Sequence, residues 1–216
     1  MKSRQWVRFF LTTLLIGGLS TFFVAIVMKW EKYIEVFTSF DGMKILTEVI
    51  WLVGMGFLFS LVSQMGFFAY LTVHRFGLGF FRTPSLWNII QVFLIVIALV
   101  DFLYLQSVFS NEDLSFLSHL LAVVCIGIVA VGVAYKKAKE TNKFAFVPTL
   151  FFMIVVTMIE WVPALKANNK DMMYLMIVPL LVCNMYQVLK LHKITQATMT
   201  KAKPTKQKSK KVASSV

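Results

Sequence analysis

The stretch QMGFFAYLTVHRFGLGFFRTPSLWNIIQ, Gln64 to Gln91, decides how the rest of the chain reads. It begins deep in an apolar segment, leaves it at His74, is expected to turn through Gly77 and Gly79, and re-enters apolar sequence at Leu86. Between the two apolar arms lie Arg75 and Arg82, with Phe67, Phe68, Phe76, Phe80 and Phe81. This pattern reads as a short, basic, amphipathic hairpin joining two membrane helices.

The sequence on either side repeats the apolar arms. Of 216 residues 58% are hydrophobic and the mean hydropathy is +0.75. Soluble domains sit near ~45–50% apolar, so a soluble protein of this composition would have no surface to present to water. The class is all-α, a polytopic membrane protein. Six spans are expected: about Trp6–Met28, Ile45–Val73, Leu86–Gln106, Ser115–Tyr135, Phe144–Val162 and Asp171–Leu191. Residues 1–191 then form one transmembrane domain. Residues 192–216 are polar and lysine-rich, and are expected to be a disordered cytoplasmic tail. Pro179 removes a donor from the sixth span and is expected to kink it.

Lys2, Arg4 and Arg8 ahead of the first span imitate a signal peptide, but the apolar run exceeds the ~7–15 residues of a signal core. It is read as a retained helix. Thr13, Gly17, Thr21 and Ala25 recur every fourth residue along it, a ridge of small side chains where another helix can approach closely. In the second span Gly56, Ser60 and Gln64 also fall four apart, on one face that should point into the bundle. The connection Lys29 to Lys44 carries Trp30, Tyr33 and Phe37 and is expected to hold a short interfacial helix.

Orientation follows from lysine and arginine. With six spans, seventeen cations fall on the side of both termini and five on the other. Both termini and the hairpin are therefore expected in the cytoplasm. The tryptophans agree by position: Trp6 and Trp87 at inner ends, Trp30, Trp51 and Trp161 at outer ends, none in the middle of a span.

No catalytic signature is present. There is no HExxH, GxSxG, phosphate-binding glycine loop or metal-spaced Cys/His set. An enzyme, a cofactor and a metal are accordingly not expected. His74, His119 and His192 are assigned to different ends of their spans. Cys125 and Cys183 read as buried small hydrophobes. The intramembrane polar candidates are Gln64, Asn88, Gln91, Asp101, His119 and Glu160. Glu48, Asp101, His119, Glu160 and Asp171 are all placed within about two turns of the outer boundary, either as a ligand- or ion-sensing vestibule or as ordinary interfacial polarity. Asp101, the deepest of them, is expected to face the bundle, protonated or paired.

The candidate partner contact is the hairpin itself: Arg75, Phe76, Gly77, Gly79, Phe80 and Arg82. The plainer alternative makes it a connector whose glycines turn the chain and whose phenylalanines lie in the lipid interface. The basic tail is assigned to anionic lipid; specific nucleic-acid binding is not expected, because base readout needs a folded element.

The run SQMGFFAYLTVHRFGLG, Ser63 to Gly79, followed by SLWNIIQ, Ser85 to Gln91, resembles the KinB-signalling pathway activation (KbaA) family of endospore-forming Firmicutes. The resemblance extends through most of the hydrophobic chain and is weakest in the tail. It implies a multi-pass cell-membrane protein needed for the sensor histidine kinase KinB to feed the sporulation phosphorelay. It supplies no catalytic residues. The residues alone favour an accessory signalling protein of this kind over a small transporter, which would show internal repeats and mid-membrane polar groups, and over an intramembrane enzyme, for which no constellation is visible.

Overall fold

The structure is a computed structural model. It describes the backbone of residues 3–38, 41–109, 113–166 and 169–213, and the side chains of residues 4–36, 38, 41–105, 120–121, 123–164, 166, 169 and 171–194. The described residues are helical, with no strand among them. The helices are α1 (Ser3–Met28), α2 (Trp30–Thr38), α3 (Gly42–Phe81), α4 (Pro84–Phe109), α5 (Asp113–Glu140), α6 (Phe146–Phe151), α7 (Thr157–Lys166) and α8 (Lys170–Ala213). Asn142 caps a 3₁₀ turn, Lys143–Ala145, that enters α6, and a π turn, Phe152–Val156, joins α6 to α7.

Five stretches among the described residues are long and apolar enough to cross a membrane: Arg4–Met28, Gly42–Phe81, Pro84–Leu105, Lys143–Ala164 and Asp171–Ile194. The short helix expected between Lys29 and Lys44 is present as α2, with Glu31 and Glu35 exposed and Tyr33 buried.

The core is a three-helix contact of α1, α3 and α8, against which α7 and the π turn pack. The small-residue ridge makes it possible. Thr13 and Thr21 are fully buried, Gly17 and Ala25 are buried, and the ridge meets Gly56 and Ser60 of α3. A Cβ on Gly56 would stand 2.6 Å from both the Gly17 carbonyl oxygen and the Gly18 Cα. The two backbones touch, so dispersion contacts that lipid cannot supply hold the pair together.

Several expectations change. α3 does not turn at Gly77 or Gly79; it remains helical to Phe81. Its 40 residues make a rod of about 60 Å, twice the ~30 Å hydrocarbon core. The reversal falls at Arg82, a C-cap in the left-handed region (φ 59°), and Thr83, with Pro84 opening α4 where its missing N–H costs nothing. Gly77 serves packing instead: it is buried, and any side chain there would collide with the Trp87 indole. Pro163 lies inside α7, and α8 stays helical through Pro179 and on to Ala213, so residues 192–213, expected to be disordered, are helical.

The tryptophans divide. Trp30 and Trp51 are 59% and 53% exposed, as members of an aromatic belt would be. Trp87 and Trp161 are buried, because each indole N–H finds a protein acceptor: His74 Nδ1 for Trp87 at 3.0 Å and the Met173 carbonyl for Trp161 at 2.9 Å.

Candidate functional site

Of the residues placed near the outer boundary, Glu160 lies elsewhere. With Gln64 it joins a set of buried polar side chains inside the bundle, where α3, α7 and α8 meet. Ser63 Oγ donates to Asn184 Oδ1 at 2.7 Å, and Gln187 Nε2 donates to Ser63 Oγ at 2.8 Å. The Asn184 amide donates to Thr157 Oγ1 at 2.9 Å and to Glu160 Oε2 at 2.8 Å. Gln64 Nε2 donates to Ser60 Oγ at 3.3 Å, and Cys183 Sγ approaches the Thr13 carbonyl at 3.7 Å. All of these side chains are buried.

Glu160 moves furthest from its expected place. Its carboxylate faces Gly66 of α3 and is 5% exposed. Its partner Asn184 lies thirteen residues, about 20 Å, along α8 from Asp171, so the carboxylate sits in the body of the bundle and not at its rim. The π turn Phe152–Val156 offers the reason. The wider turn shifts the phase of the helix beyond it, and Thr157, Glu160 and Trp161 all face inward. Glu160 Oε1, Gln64 Oε1 and Gln187 Oε1 have no hydrogen-bond partner among the described residues.

The other candidates scatter. Gln91 of α4 is fully buried with neither amide atom paired among the described residues. Asn88 Nδ2 donates to the Phe144 carbonyl at 3.3 Å, tying α4 to the turn before α6. Asp101 is exposed on α4, against the expectation that it faces the bundle; the helix turns Phe102 inward instead, onto the Trp161 ring at 5.5 Å. The His119 side chain lies outside the described residues, as do those of the tail lysines beyond Ile194. Glu48 and Asp171 form ion pairs, with Lys32 at 2.7 Å and with Lys29 at 2.6 Å. Both pairs line a cavity of about 440 Å³ at the α2 end of the bundle.

The hairpin residues separate into two faces. Phe76 and Phe80, one turn apart, are 76% and 79% exposed, and Arg75, Gly79 and Arg82 are exposed with them. Gly77 faces the other way, onto Trp87, and so cannot belong to the same contact surface. Trp6 of α1 meets Phe68 of α3, so the last turns of α3 run on beyond the start of α1.

A further polar group, absent from the sequence reading, lies at this end. Lys137 of α5 is 9% exposed. It donates to the Val188 carbonyl at 2.7 Å and lies 3.0 Å from His192 Nδ1. His192 Nε2 in turn lies 3.1 Å from Glu140 Oε2. Burial lowers the Lys137 pKa from 10.5 to about 8, because the ammonium loses hydrating water; Glu140 opposes the shift and Lys193 adds to it. Lys137 is one of four lysines within residues 136–143, and nothing in that spacing separates it from its neighbours.

Residues 17–194 match the KbaA family, described as KinB-signalling pathway activation in sporulation. The chain belongs to that family. As a KbaA-family protein it is 43% identical over 194 residues to the KinB-signaling pathway activation protein of Bacillus subtilis (strain 168), covering 89% of this chain and 98% of the relative. The match takes in the hairpin, the buried polar network and Lys137. No solved structure matches this KbaA-family chain.

Proposed function

We propose that the protein is a multi-pass cell-membrane accessory protein that activates a KinB-type sensor histidine kinase feeding the sporulation phosphorelay. In this reading the chain crosses six times with both termini in the cytoplasm. Residues 1–191 are the membrane domain and residues 192–216 a basic tail held to anionic lipid. The protein performs no chemistry of its own and acts by contact with the kinase in the same membrane.

The observation that carries this reading is the exposed pair Phe76 and Phe80, flanked by Arg75 and Arg82, at the end of a helix that outruns its neighbour α1. Aromatic residues and arginine are what the centres of protein interfaces favour. A surface fixed on a helix pinned by Trp87 loses little ordering entropy on binding. The test is capture of the tagged protein from membranes of sporulating cells. A sensor kinase should co-purify with the wild type and be lost from Phe76→Ser/Phe80→Ser and Arg75→Ala/Arg82→Ala at unchanged membrane abundance. The arginine pair can go without inverting the protein, since fifteen inner cations remain against five. Unimpaired kinase capture and sporulation with both variants would leave the hairpin a connector.

A second reading, a small transporter or a ligand-sensing protein, rests on the cavity between α2, α3 and α8. The acids there are already paired with Lys29 and Lys32, so a cation entering it must first displace an ammonium. Lys29→Ala/Lys32→Ala should leave signalling unchanged if kinase contact is the function, and should alter it if the cavity senses a ligand.

A further inference from the structure

At the Lys137 end, residues of α3, α4, α5, α6 and α8 line an open cavity of about 410 Å³, within the size range of small-molecule sites. Most of its wall is hydrocarbon, including Phe67, Leu71 and Leu191. Its polar groups include one ammonium, that of Lys137, and several side-chain donors. Three carbonyls of its lining residues are engaged: Pro148 accepts from the Tyr70 hydroxyl at 2.9 Å, Phe144 from Asn88, and Val188 from Lys137. His74 accepts the Trp87 indole N–H at Nδ1, which places the hydrogen of a neutral ring on Nε2. Asn142 gives its Oδ1 to the Ala145 N–H at 3.0 Å, leaving its NH₂. The Lys137 ammonium has three hydrogens, and the Val188 carbonyl and His192 account for two.

Donors remain, namely one N–H of Lys137, the His74 Nε2–H and the Asn142 amide, beside the Asn88 amide oxygen and the Tyr70 and Thr149 hydroxyls. A cavity lined by unspent donors and one buried cation selects an anion. The nearest carboxylate, Glu140, is engaged by His192 and Lys193. The apolar remainder of the wall selects a ligand that carries hydrocarbon beside its charge. We propose that this cavity binds the phosphate of an anionic phospholipid, with Lys137 supplying the charge, His74 and Asn142 the hydrogen bonds, and the wall at Phe67, Leu71 and Leu191 receiving the start of the acyl chains. Basic pockets between membrane helices hold lipid headgroups by this combination. The site is separate from the tail, whose attraction to lipid is diffuse, and it does not depend on the kinase reading.

Two variants of the full-length protein test it. Lys137→Gln removes the charge but also disturbs the bond to Val188. Asn142→Asp keeps the cap on the Ala145 N–H and places a negative charge at the mouth of the cavity. The protein is stripped in detergent, and phosphatidylglycerol, phosphatidylcholine or inorganic phosphate is added. Bound lipid is counted by native mass spectrometry and the thermal midpoint is followed. The wild type should retain one phosphatidylglycerol and gain stability from it, and from neither phosphatidylcholine nor phosphate. Asn142→Asp should bind it about tenfold more weakly, the scale of one added charge at a partly screened site, with its own fold intact. Equal retention by wild type and Asn142→Asp would overturn the proposal, because only the tail would then be responsible. An equal gain from inorganic phosphate would overturn the assignment to a lipid.

Discussion

Asn184 of α8 donates its side-chain amide to the Glu160 carboxylate of α7 at 2.8 Å, and with its other hydrogen bond it reaches Thr157, one turn earlier on α7. One asparagine therefore fixes the rotation of α7 against α8. Through Ser63 it fixes both against α3. Such bonds between membrane helices average about 0.6 kcal/mol and reach about 1.7; here they act less as glue than as a register.

Replacement of Glu160 checks that role. Glu160→Gln keeps an acceptor for the Asn184 amide and should preserve abundance and signalling. Glu160→Leu leaves Asn184 with an unmet donor, at about 1–3 kcal/mol, and its side chain is forced against Gly66. It should lower the thermal midpoint in detergent and the steady-state membrane level. If Gln and Leu behave alike, and both abolish signalling in a normally abundant protein, the carboxylate itself is functional.

The α1–α3 crossing depends on Gly56. Gly56→Leu must separate two backbones in contact, and a cost of about 1–3 kcal/mol is expected from overpacking. Gly54→Leu, two residues away and facing open space, should be close to neutral. Limited proteolysis of membranes carrying each variant gives the comparison; equal resistance would mean that the crossing is not held by this contact.

Lys137 makes stability depend on pH. Its folded pKa, about 8, lies below the ordinary 10.5, so the unfolded chain holds that proton more tightly. Stability therefore rises with pH between about 8 and 10.5, and the full cost of burying the charge is present below that window. His192 and Glu140 face the ammonium, Lys193 lies near it, and His74 shares its cavity. The thermal midpoint of Lys137→Met should lack the component of the alkaline rise that the wild type shows. Parallel curves for the two proteins from pH 8 to 10.5 would place the titration elsewhere.

Topology is open to direct labelling. With Cys125 and Cys183 replaced, single cysteines at Lys139 and at Ser209 should resist an impermeant thiol reagent in intact cells, and one at Asn111 should react. Labelling at Lys139 without lysis would refute six crossings with both ends inside. Removal of residues 201–216 takes six lysines and leaves eleven inner cations against five, so insertion should be unchanged.

The sequence by itself determined the helical class, the apolar stretches and the short amphipathic α2, because length and hydropathy suffice to place a helix in a membrane. It also determined which residues share a face: Thr13 with Gly17 and Thr21, Gly56 with Ser60 and Gln64, since spacing alone sets rotation along a regular helix. It could not say which way a lone polar group points. In a soluble protein the apolar side of a helix faces inward, but here lipid and bundle interior are equally apolar, and the pattern carries no sign. Thus Asp101 was assigned inward and lies outward, while Glu160 was assigned to the rim and lies in the bundle, carried there by a π turn that breaks the regular spacing. Gly77 was expected to turn the chain, and only the fold shows it inside α3 as the seat of Trp87. Lys137 looked like any of four neighbouring lysines until α8 brought the Val188 carbonyl to it, a contact between residues 51 positions apart that only the tertiary structure makes.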